Sequence, residues 1–192
     1  MKQTSYMNIF KILTLHPIDM SVFFIGCPHI GHRNINKYRP FVSSTQQNTR
    51  LIHEEWTSRV NKKDIVYVMG DVAFDQNSLD IIGALPGRKI LIKGNHDDYL
   101  STNAHAAVFE EIHGIIKYKK LWLSHCPIHP DEIRKCKGVV HAHVHQNSIM
   151  RRNWYGRRVL DKRYLNVCVD NLYQTTGKCM IDLETVKSYF NI

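Results

Sequence analysis

Three short apolar segments constrain the fold more strongly than any other feature of the sequence. They cover residues 21–25, 65–69 and 89–93, and each is dominated by β-branched, aromatic or other apolar side chains. Continuous apolar runs of this length are typical of strands that are buried on both faces. Apolar residues recur every four positions between residues 49 and 61, which predicts a helix with one buried side. The first half of the chain therefore alternates between strand and helix.

The second half is predicted to contain short strands joined by tight loops. These strands include residues 115–116, 121–123, 138–140, 165–169 and 179–181. Apolar side chains on one side of a segment predict further helices at residues 77–85, 104–113 and 184–190. Alternation followed by a run of strands predicts an α/β fold with two facing mixed β-sheets flanked by helices.

The size of the chain predicts one domain over residues 20–192, with residues 1–19 as an N-terminal appendage. Both Met1 and Met20 are candidates for the true start. No apolar run approaches the roughly 20 residues that a membrane span needs. The five cysteines contain no Cys-x-x-Cys pair, and their odd number favours a reducing compartment, the cytoplasm, over a disulfide-bonded secreted scaffold.

Side chains that commonly bind metals follow the ends of five predicted strands. They are Cys27 and His29, then Asp71, then Asn95 and His96, then His125, and finally His143 and His145. Catalytic and binding groups of α/β sheets collect at the carboxyl ends of strands. Each group alone has an ordinary explanation as a turn or as a hydrogen-bonded polar residue. Together they predict a site for two divalent metals, with one carboxylate able to bridge them.

These motifs resemble those of a known family. Cys27-Pro28-His29, Gly70-Asp71, Gly94-Asn95-His96-Asp97, Ser124-His125 and Ala142-His143-Val144-His145 are similar, in order and spacing over residues 20–170, to the motifs of calcineurin-like metallophosphoesterases. The similarity is greatest to the small bacterial and phage members that have no cap domain. It implies an α/β/β/α sandwich and a metal-dependent hydrolase of phosphoric esters.

The resemblance also implies a set of metal ligands. The first metal would be held by His29, Asp71 and His145, with Cys27 at a position where the family has an aspartate. Asp71 would bridge to a second metal, which is completed by Asn95, His125 and His143. The metals implied are Mn, Fe or Zn.

The same resemblance implies that His96 is the general acid and that Asp97 orients it. A hydroxide activated by both metals would attack phosphorus, and His96 would protonate the departing oxygen.

Cys27 leaves two interpretations open. A thiolate is a softer ligand than a carboxylate, so a ligating Cys27 would favour Zn or Fe in the first site. Alternatively, Cys27 ligates nothing and the first site is weakened.

The charge of the chain favours anionic partners. Lys and Arg number 26 against 17 Asp and Glu, which gives a net charge of +9. The segment 151–158 combines two aromatic residues with four arginines that can pair with phosphate, namely Arg151, Arg152, Arg157 and Arg158. A solvated hairpin without a ligand is the alternative.

His32 and Asn34 follow the first motif closely. They are candidates to reach a bound phosphate, or else to stabilise their own loop.

The expected substrate is therefore a phosphoester, with a phosphodiester of a nucleotide or nucleic acid favoured. A phosphomonoesterase or pyrophosphatase remains an alternative, as does a non-catalytic nucleotide- or nucleic-acid-binding protein with a weakened metal site. The oligomeric state stays open.

Two further residues are expected near the site. His141 shares a predicted strand face with His143, which favours a supporting or substrate-binding role. Asp170 follows a predicted strand and is expected to support the site from behind.

Overall fold

A computed structural model describes residues 20–192, so the predicted appendage lies outside the described residues. The first sheet contains the three apolar segments that dominate the sequence. Its strands are β1 (Val22–Ile25), β2 (Ile65–Val68), β3 (Arg88–Ile92), β4 (Glu111–His113) and β11 (Ile181–Asp182), in the order β11-β1-β2-β3-β4. β1 to β4 are parallel, and β11 runs antiparallel to β1.

The second sheet is built from the second half of the chain. Its strands are β5 (Ile115–Tyr118), β6 (Leu121–Ser124), β7 (Gly138–His141) and β10 (Tyr164–Asn166), in the order β10-β7-β6-β5. β10, β7 and β6 are parallel, and β5 is antiparallel to β6. β8 (Met150–Arg152) and β9 (Arg158–Leu160) form a separate two-stranded hairpin.

The two sheets pack face to face, which confirms the predicted fold class. Phe24 of the first sheet and Leu123 and Val140 of the second belong to one buried apolar cluster. On the opposite face of β1, Phe23 and Ile25 pack in a second cluster with α2 (Thr45–Arg59) and α3 (Gln76–Ala84). Burial of both faces explains why this strand is continuously apolar.

The remaining helices lie between strands or at their ends. They are α1 (Ile35–Tyr38), α4 (Thr102–Ala106), α5 (Val169–Thr176) and α6 (Leu183–Phe190), with short 3₁₀ helices at Asp97–Tyr99 and Pro130–Ile133. No helix in the range 20–192 is long and apolar enough to cross a membrane.

The strand predicted at 179–181 begins only at Ile181, as β11, and two other predicted elements differ more from the observed bounds. The helix expected at 104–113 ends at Ala106, because residues 111–113 pair with the edge of β3 as β4. The strand expected at 165–169 ends at Asn166, and α5 begins at Val169. In both cases pairing and packing with distant residues override the local apolar pattern.

Candidate metal centre

The loops that follow the strands hold several predicted ligands in an uncommon backbone conformation. The φ angles are 51° at Cys27, 51° at His29, 55° at Asp71, 69° at His143 and 53° at His145. Of the eight non-glycine residues with positive φ in the described chain, five are thus predicted metal ligands. This left-handed conformation costs a non-glycine residue about 1–2 kcal/mol. Strain of this kind concentrates at functional sites, where the surrounding structure enforces it.

Glycines allow two of the strand ends to approach closely. Gly70 has φ +80°, and a Cβ there would lie 2.5 Å from His125 Nδ1 and 2.6 Å from the backbone nitrogen of Gly94. A Cβ on Gly94 would collide with the carboxylate of Asp71. Because neither glycine has a side chain, the loops after β2 and β3 can lie against each other and against β6.

His125 lies at the centre of one group of candidate ligands. Its Nε2 is 3.4 Å from Asp71 Oδ2, 3.1 Å from Asn95 Oδ1 and 3.2 Å from His143 Nδ1. Its Nδ1 lies 2.7 Å from the carbonyl oxygen of Met69, which can only accept a hydrogen bond. In the neutral ring, Nδ1 therefore carries the proton, and the Nε2 lone pair faces two oxygens that also lack protons. Such convergence of lone pairs suits a cation.

The charges around His125 agree with this arrangement. Burial raises the pKa of Asp71, but its contact with His125 outweighs that effect and lowers the pKa to about 2. Asp71 is therefore ionised at neutral pH. For His125 the directions are reversed: burial lowers its pKa, but the contact with Asp71 raises the pKa by more, so that it lies above its ordinary value. The negative charge that would attract a cation is thus in place.

The surroundings of His29 independently indicate a metal site. The residue is only 5% exposed, and neither ring nitrogen has a hydrogen-bond partner among residues 20–192. Burial, reinforced by the charge of Arg39, lowers the pKa of His29 to about 3, so the ring is neutral. A buried polar group without a partner costs about 1–3 kcal/mol. The Nε2 atom lies 3.9 Å from Asp71 Oδ2, and a metal shared with Asp71 would satisfy it.

Cys27 lies where the two groups of candidate ligands meet. One ligand atom from each of Cys27, His29 and His145 lies within 4.8 Å of the others, and the same is true of Cys27, Asp71 and His125. Cys27 Sγ accepts a hydrogen bond from the backbone N–H of His143 at 3.3 Å.

A second thiol lies beside Cys27. The Sγ atoms of Cys27 and Cys168 are 3.5 Å apart, and both residues are buried. Burial, and then the neighbouring Cys168, raise the pKa of the Cys27 thiol well above its ordinary value. A bound cation would be needed to stabilise the thiolate.

A buried arginine, which the sequence did not reveal as a site residue, supports the first group from behind. Arg39 is fully buried and donates hydrogen bonds to the carbonyl oxygens of Cys27 and Pro28. It also donates to Asn48 Oδ1 at 2.6 Å and to Asp170 Oδ2 at 2.8 Å. Arg39 therefore fixes the loop that carries Cys27 and His29.

Asp170 extends this network to the last predicted ligand. Its Oδ2 lies 3.2 Å from Nδ1 of His145, which leaves Nε2 of that ring available. A carboxylate in this position fixes the ring orientation of a metal-binding histidine. Burial raises the pKa of Asp170, but His145 and Arg39 lower it well below its ordinary value. The structure thus places Asp170 behind the site, as expected from the sequence.

Asp97 occupies a different position from the one expected. Its carboxylate accepts hydrogen bonds from the backbone N–H groups of Asp71 (3.0 Å), Val72 (2.8 Å) and Gly94 (2.7 Å). All of its hydrogen bonds within residues 20–192 go to the backbone and none to the ring of His96. The expectation that Asp97 orients His96 is therefore corrected: its carboxylate joins the loops after β2 and β3, because their N–H groups have no sheet partners there.

His96 is held by other contacts. Its backbone N–H donates to Asp71 Oδ1 at 2.8 Å, and its ring stacks on Tyr99 with centroids 5.7 Å apart. His32 joins His96, His29 and His145 in lining a cleft of about 680 Å³. Burial lowers the pKa of His32.

The other substrate candidates lie outside this cleft. Asn34 is exposed and is not among the lining residues. Arg151, Arg152, Arg157 and Arg158 lie on the exposed β8–β9 hairpin, where three of them line a separate hollow. His141 is buried and lines another cavity beside Tyr164.

Comparisons with known proteins identify an archaeal relative and a phage relative. No model of a protein family matches the chain. Over 136 residues it is 31% identical to the uncharacterized protein MJ1445 of Methanocaldococcus jannaschii, covering 67% of this chain and 71% of that protein. Over 174 residues it is 26% identical to the Gene 66 protein of Mycobacterium phage L5, covering 72% of this chain and 84% of that protein.

A solved structure has the same overall arrangement. The crystal structure of AQ665, a protein of unknown function from Aquifex aeolicus, has a TM-score of 0.67 and 26% identity to this chain. The match covers 88% of this chain and 99% of that one.

The identity of 31% to MJ1445, over 71% of that protein, shows a family relationship. The chain therefore belongs to the same family as the archaeal protein MJ1445.

Proposed function

We propose that the chain is a phosphoesterase that depends on two divalent transition-metal ions. The observation that supports this most directly is the convergence of lone pairs at Asp71. Its Oδ2 lies 3.4 Å from His125 Nε2 and 3.9 Å from Nε2 of His29, whose ring nitrogens form no hydrogen bond within the described part of the chain. One carboxylate between two groups of nitrogen ligands suits a pair of divalent metals.

The residues present fit such a pair. The proposed ligands of the first metal are Cys27, His29, Asp71 and His145, and those of the second are Asp71, Asn95, His125 and His143. Mn, Fe and Zn all accept these nitrogen and oxygen donors, and the thiol favours Zn or Fe. When bound, such a pair lowers the pKa of a coordinated water and neutralises charge on the phosphate.

The protein's own residues supply the remaining chemistry. His96 lies on the wall of the same cleft as His29 and His145, held by Asp71 through its backbone and by Tyr99 through its ring. From there a protonated His96 can donate to a departing ester oxygen, which is the role of a general acid. Asp97 has an indirect role, because its carboxylate fixes the loops that carry Asp71 and Asn95.

The preferred substrate class is a phosphodiester of a nucleotide or nucleic acid. The net charge of +9 attracts polyanions, and the cleft of about 680 Å³ offers more room than a phosphate group alone needs. The departing alkoxide of a nucleotide ester needs a proton, which His96 can provide, whether the ester is a diester or a monoester. Hydrolysis of monoesters or pyrophosphate by the same site is the alternative within this class.

The test is hydrolysis of bis-p-nitrophenyl phosphate by protein supplied separately with Mn²⁺, Zn²⁺ or Fe²⁺. We expect turnover with at least one metal, faster than with p-nitrophenyl phosphate. His96→Ala should retain metal and lose about 10²–10⁴-fold in kcat, the usual contribution of a general acid, on a dinucleotide whose departing alkoxide needs a proton. It should lose far less on bis-p-nitrophenyl phosphate, because p-nitrophenolate departs as a stable anion. Absence of turnover with all three metals would contradict the proposal and favour a non-catalytic nucleotide-binding protein.

A further inference from the structure

A continuous series of aromatic rings forms one wall of the cleft beside the metal centre. Phe74 lies in the middle, with ring centroids 4.8 Å from His32, 5.4 Å from Tyr99 and 5.5 Å from His29. Tyr38 extends the series on the far side of His32, at 5.8 Å. The wall, which we call the aromatic wall, consists of Tyr38, His32, Phe74 and Tyr99.

Burial in the core does not account for the two tyrosines. Tyr38 is 66% exposed and Tyr99 is 64% exposed, although both are large and partly apolar. They come from separate elements, Tyr38 from α1 and Tyr99 from the 3₁₀ helix Asp97–Tyr99, and both line the same cleft. Among residues 20–192, neither hydroxyl forms a hydrogen bond that would fix its ring. Two elements thus bring aromatic rings to one opening without burying them.

Two chemically distinct groups of residues line the cleft. His29, His145 and Asp170 belong to the metal centre or its support, and the aromatic wall stands beside them. A volume of about 680 Å³ is within the range of about 300–1,000 Å³ that small-molecule sites occupy. A ligand with phosphate at one end and a flat ring at the other matches this division.

We propose that the aromatic wall is a binding subsite for the nucleobase of a nucleotide whose phosphate lies at the metal centre. The subsite depends on the proposed function, because the metal centre positions the phosphate. Every nucleobase has a π-face, and stacking on an aromatic side chain stabilises a bound base by about 1–3 kcal/mol. Stacking tolerates all bases, so the subsite selects nucleotides over alkyl phosphates with little preference among bases.

The test is equilibrium binding to metal-loaded protein by calorimetry. The ligands are inorganic phosphate, glycerol phosphate, phenyl phosphate and adenosine monophosphate. We expect adenosine monophosphate to bind at least tenfold more tightly than glycerol phosphate. Tyr99→Ala and Tyr38→Ala should each weaken the binding of adenosine monophosphate by about 5- to 150-fold. This loss is the equivalent of one stacking contact. Because Tyr38 does not contact His96, Tyr38→Ala should leave the binding of inorganic phosphate unchanged.

Two controls accompany these variants. Tyr99→Phe keeps the ring and should keep the affinity for adenosine monophosphate. Ile81→Ala removes another exposed apolar side chain, on α3. It should change neither the affinity for adenosine monophosphate nor the affinity for inorganic phosphate.

The outcomes separate this proposal from the proposed function. Failure of inorganic phosphate to bind with any metal would contradict the metal centre itself. Phosphate binding with no gain for adenosine monophosphate would overturn the subsite alone. If phenyl phosphate bound as tightly as adenosine monophosphate, with the same loss in Tyr99→Ala, the subsite would belong to aryl esters and the nucleobase assignment would be wrong.

Discussion

Cys27 is the residue that most distinguishes this site from one built only of carboxylates and imidazoles. Its Sγ lies among both groups of candidate ligands, and it contacts a second buried thiol, Cys168. Sulfur is a soft ligand that prefers Zn or Fe to Mn or Mg. The identity of this one residue therefore bears on which metals the chain selects.

Replacing Cys27 with Asp should shift the metal content from Zn or Fe towards Mn. A carboxylate is a harder ligand and favours Mn²⁺. Metal analysis of protein purified without added metal, beside activity measured with each metal, checks this expectation. Unchanged metal content and unchanged dependence on Mn²⁺ would show that Cys27 is not a ligand.

Asp97→Ala should destabilise the protein far more than His96→Ala. The Asp97 carboxylate accepts three backbone hydrogen bonds in a buried position. Hydrogen bonds to charged groups contribute about 1.5–3 kcal/mol each, so we expect a loss of at least about 3 kcal/mol in the free energy of unfolding. Urea unfolding of the metal-free variants measures the difference. If both variants lost little stability and shared one altered pH profile, Asp97 would act through His96 after all.

Candidate ligands are easier to predict from the sequence than the residues that support them. Each candidate ligand follows an apolar run, so its place at a strand end could be inferred from local pattern. Arg39 and Asn48 carry no such signal, because they lie in a polar loop and on a helix and become buried only through contacts with distant residues. The role of Asp97 was misjudged because its partners are backbone groups, which the sequence does not distinguish.

At the scale of elements, the β8–β9 hairpin stands apart from both sheets. Arg152 pairs directly with Arg158 across the two strands, although like charges in that arrangement are unfavourable. Trp154 in its loop is 95% exposed. Among the ion pairs of residues 20–192, none involves the four arginines of this hairpin. An anionic ligand would relieve the repulsion between them.

Changing Arg151, Arg152, Arg157 and Arg158 together to Ser should raise KM for a single-stranded oligonucleotide more than for bis-p-nitrophenyl phosphate. Each lost phosphate contact should also reduce the slope of log affinity against log salt by about 0.7. Oligonucleotide binding at several salt concentrations measures both effects. Lys62→Ser with Lys63→Ser removes charge just before β2, away from the carboxyl ends of the strands, and is the control. An equal effect on both substrates would argue against a nucleic-acid role.

The same scale shows where local pattern fails. The parallel strands β1, β2 and β3 were predictable because burial on both faces leaves a continuous apolar run. β4 was predicted as part of a helix, since its pairing with the edge of β3 depends on a contact that no local window contains.

For the whole molecule, the important feature is that the candidate ligands come from both sheets. Cys27, His29, Asp71 and Asn95 follow strands of the first sheet, and His125, His143 and His145 follow strands of the second. A metal bound between them would link the two sheets, and a ligand that binds only the folded state stabilises it.

Metal should therefore raise the melting temperature of the protein. At a free concentration of 100 times Kd, one bound metal stabilises the folded state by about 2.7 kcal/mol, a shift of roughly 5–10 °C for a domain of this size. Thermal unfolding with and without Mn²⁺ or Zn²⁺ measures the shift, and a chelator should reverse it. Asp71→Ala should abolish the response. A melting temperature that no metal changes would contradict the dinuclear site.

The left-handed backbone at five candidate ligands has a consequence for how such a protein changes over generations. Glycine adopts this conformation without the cost of about 1–2 kcal/mol that other residues incur. A mutation to glycine at position 27, 29, 71, 143 or 145 would relax the apoprotein while removing a ligand. Relief of this backbone strain favours glycine wherever a ligand is no longer needed, so a relative that has abandoned the chemistry should show glycine at some of these positions.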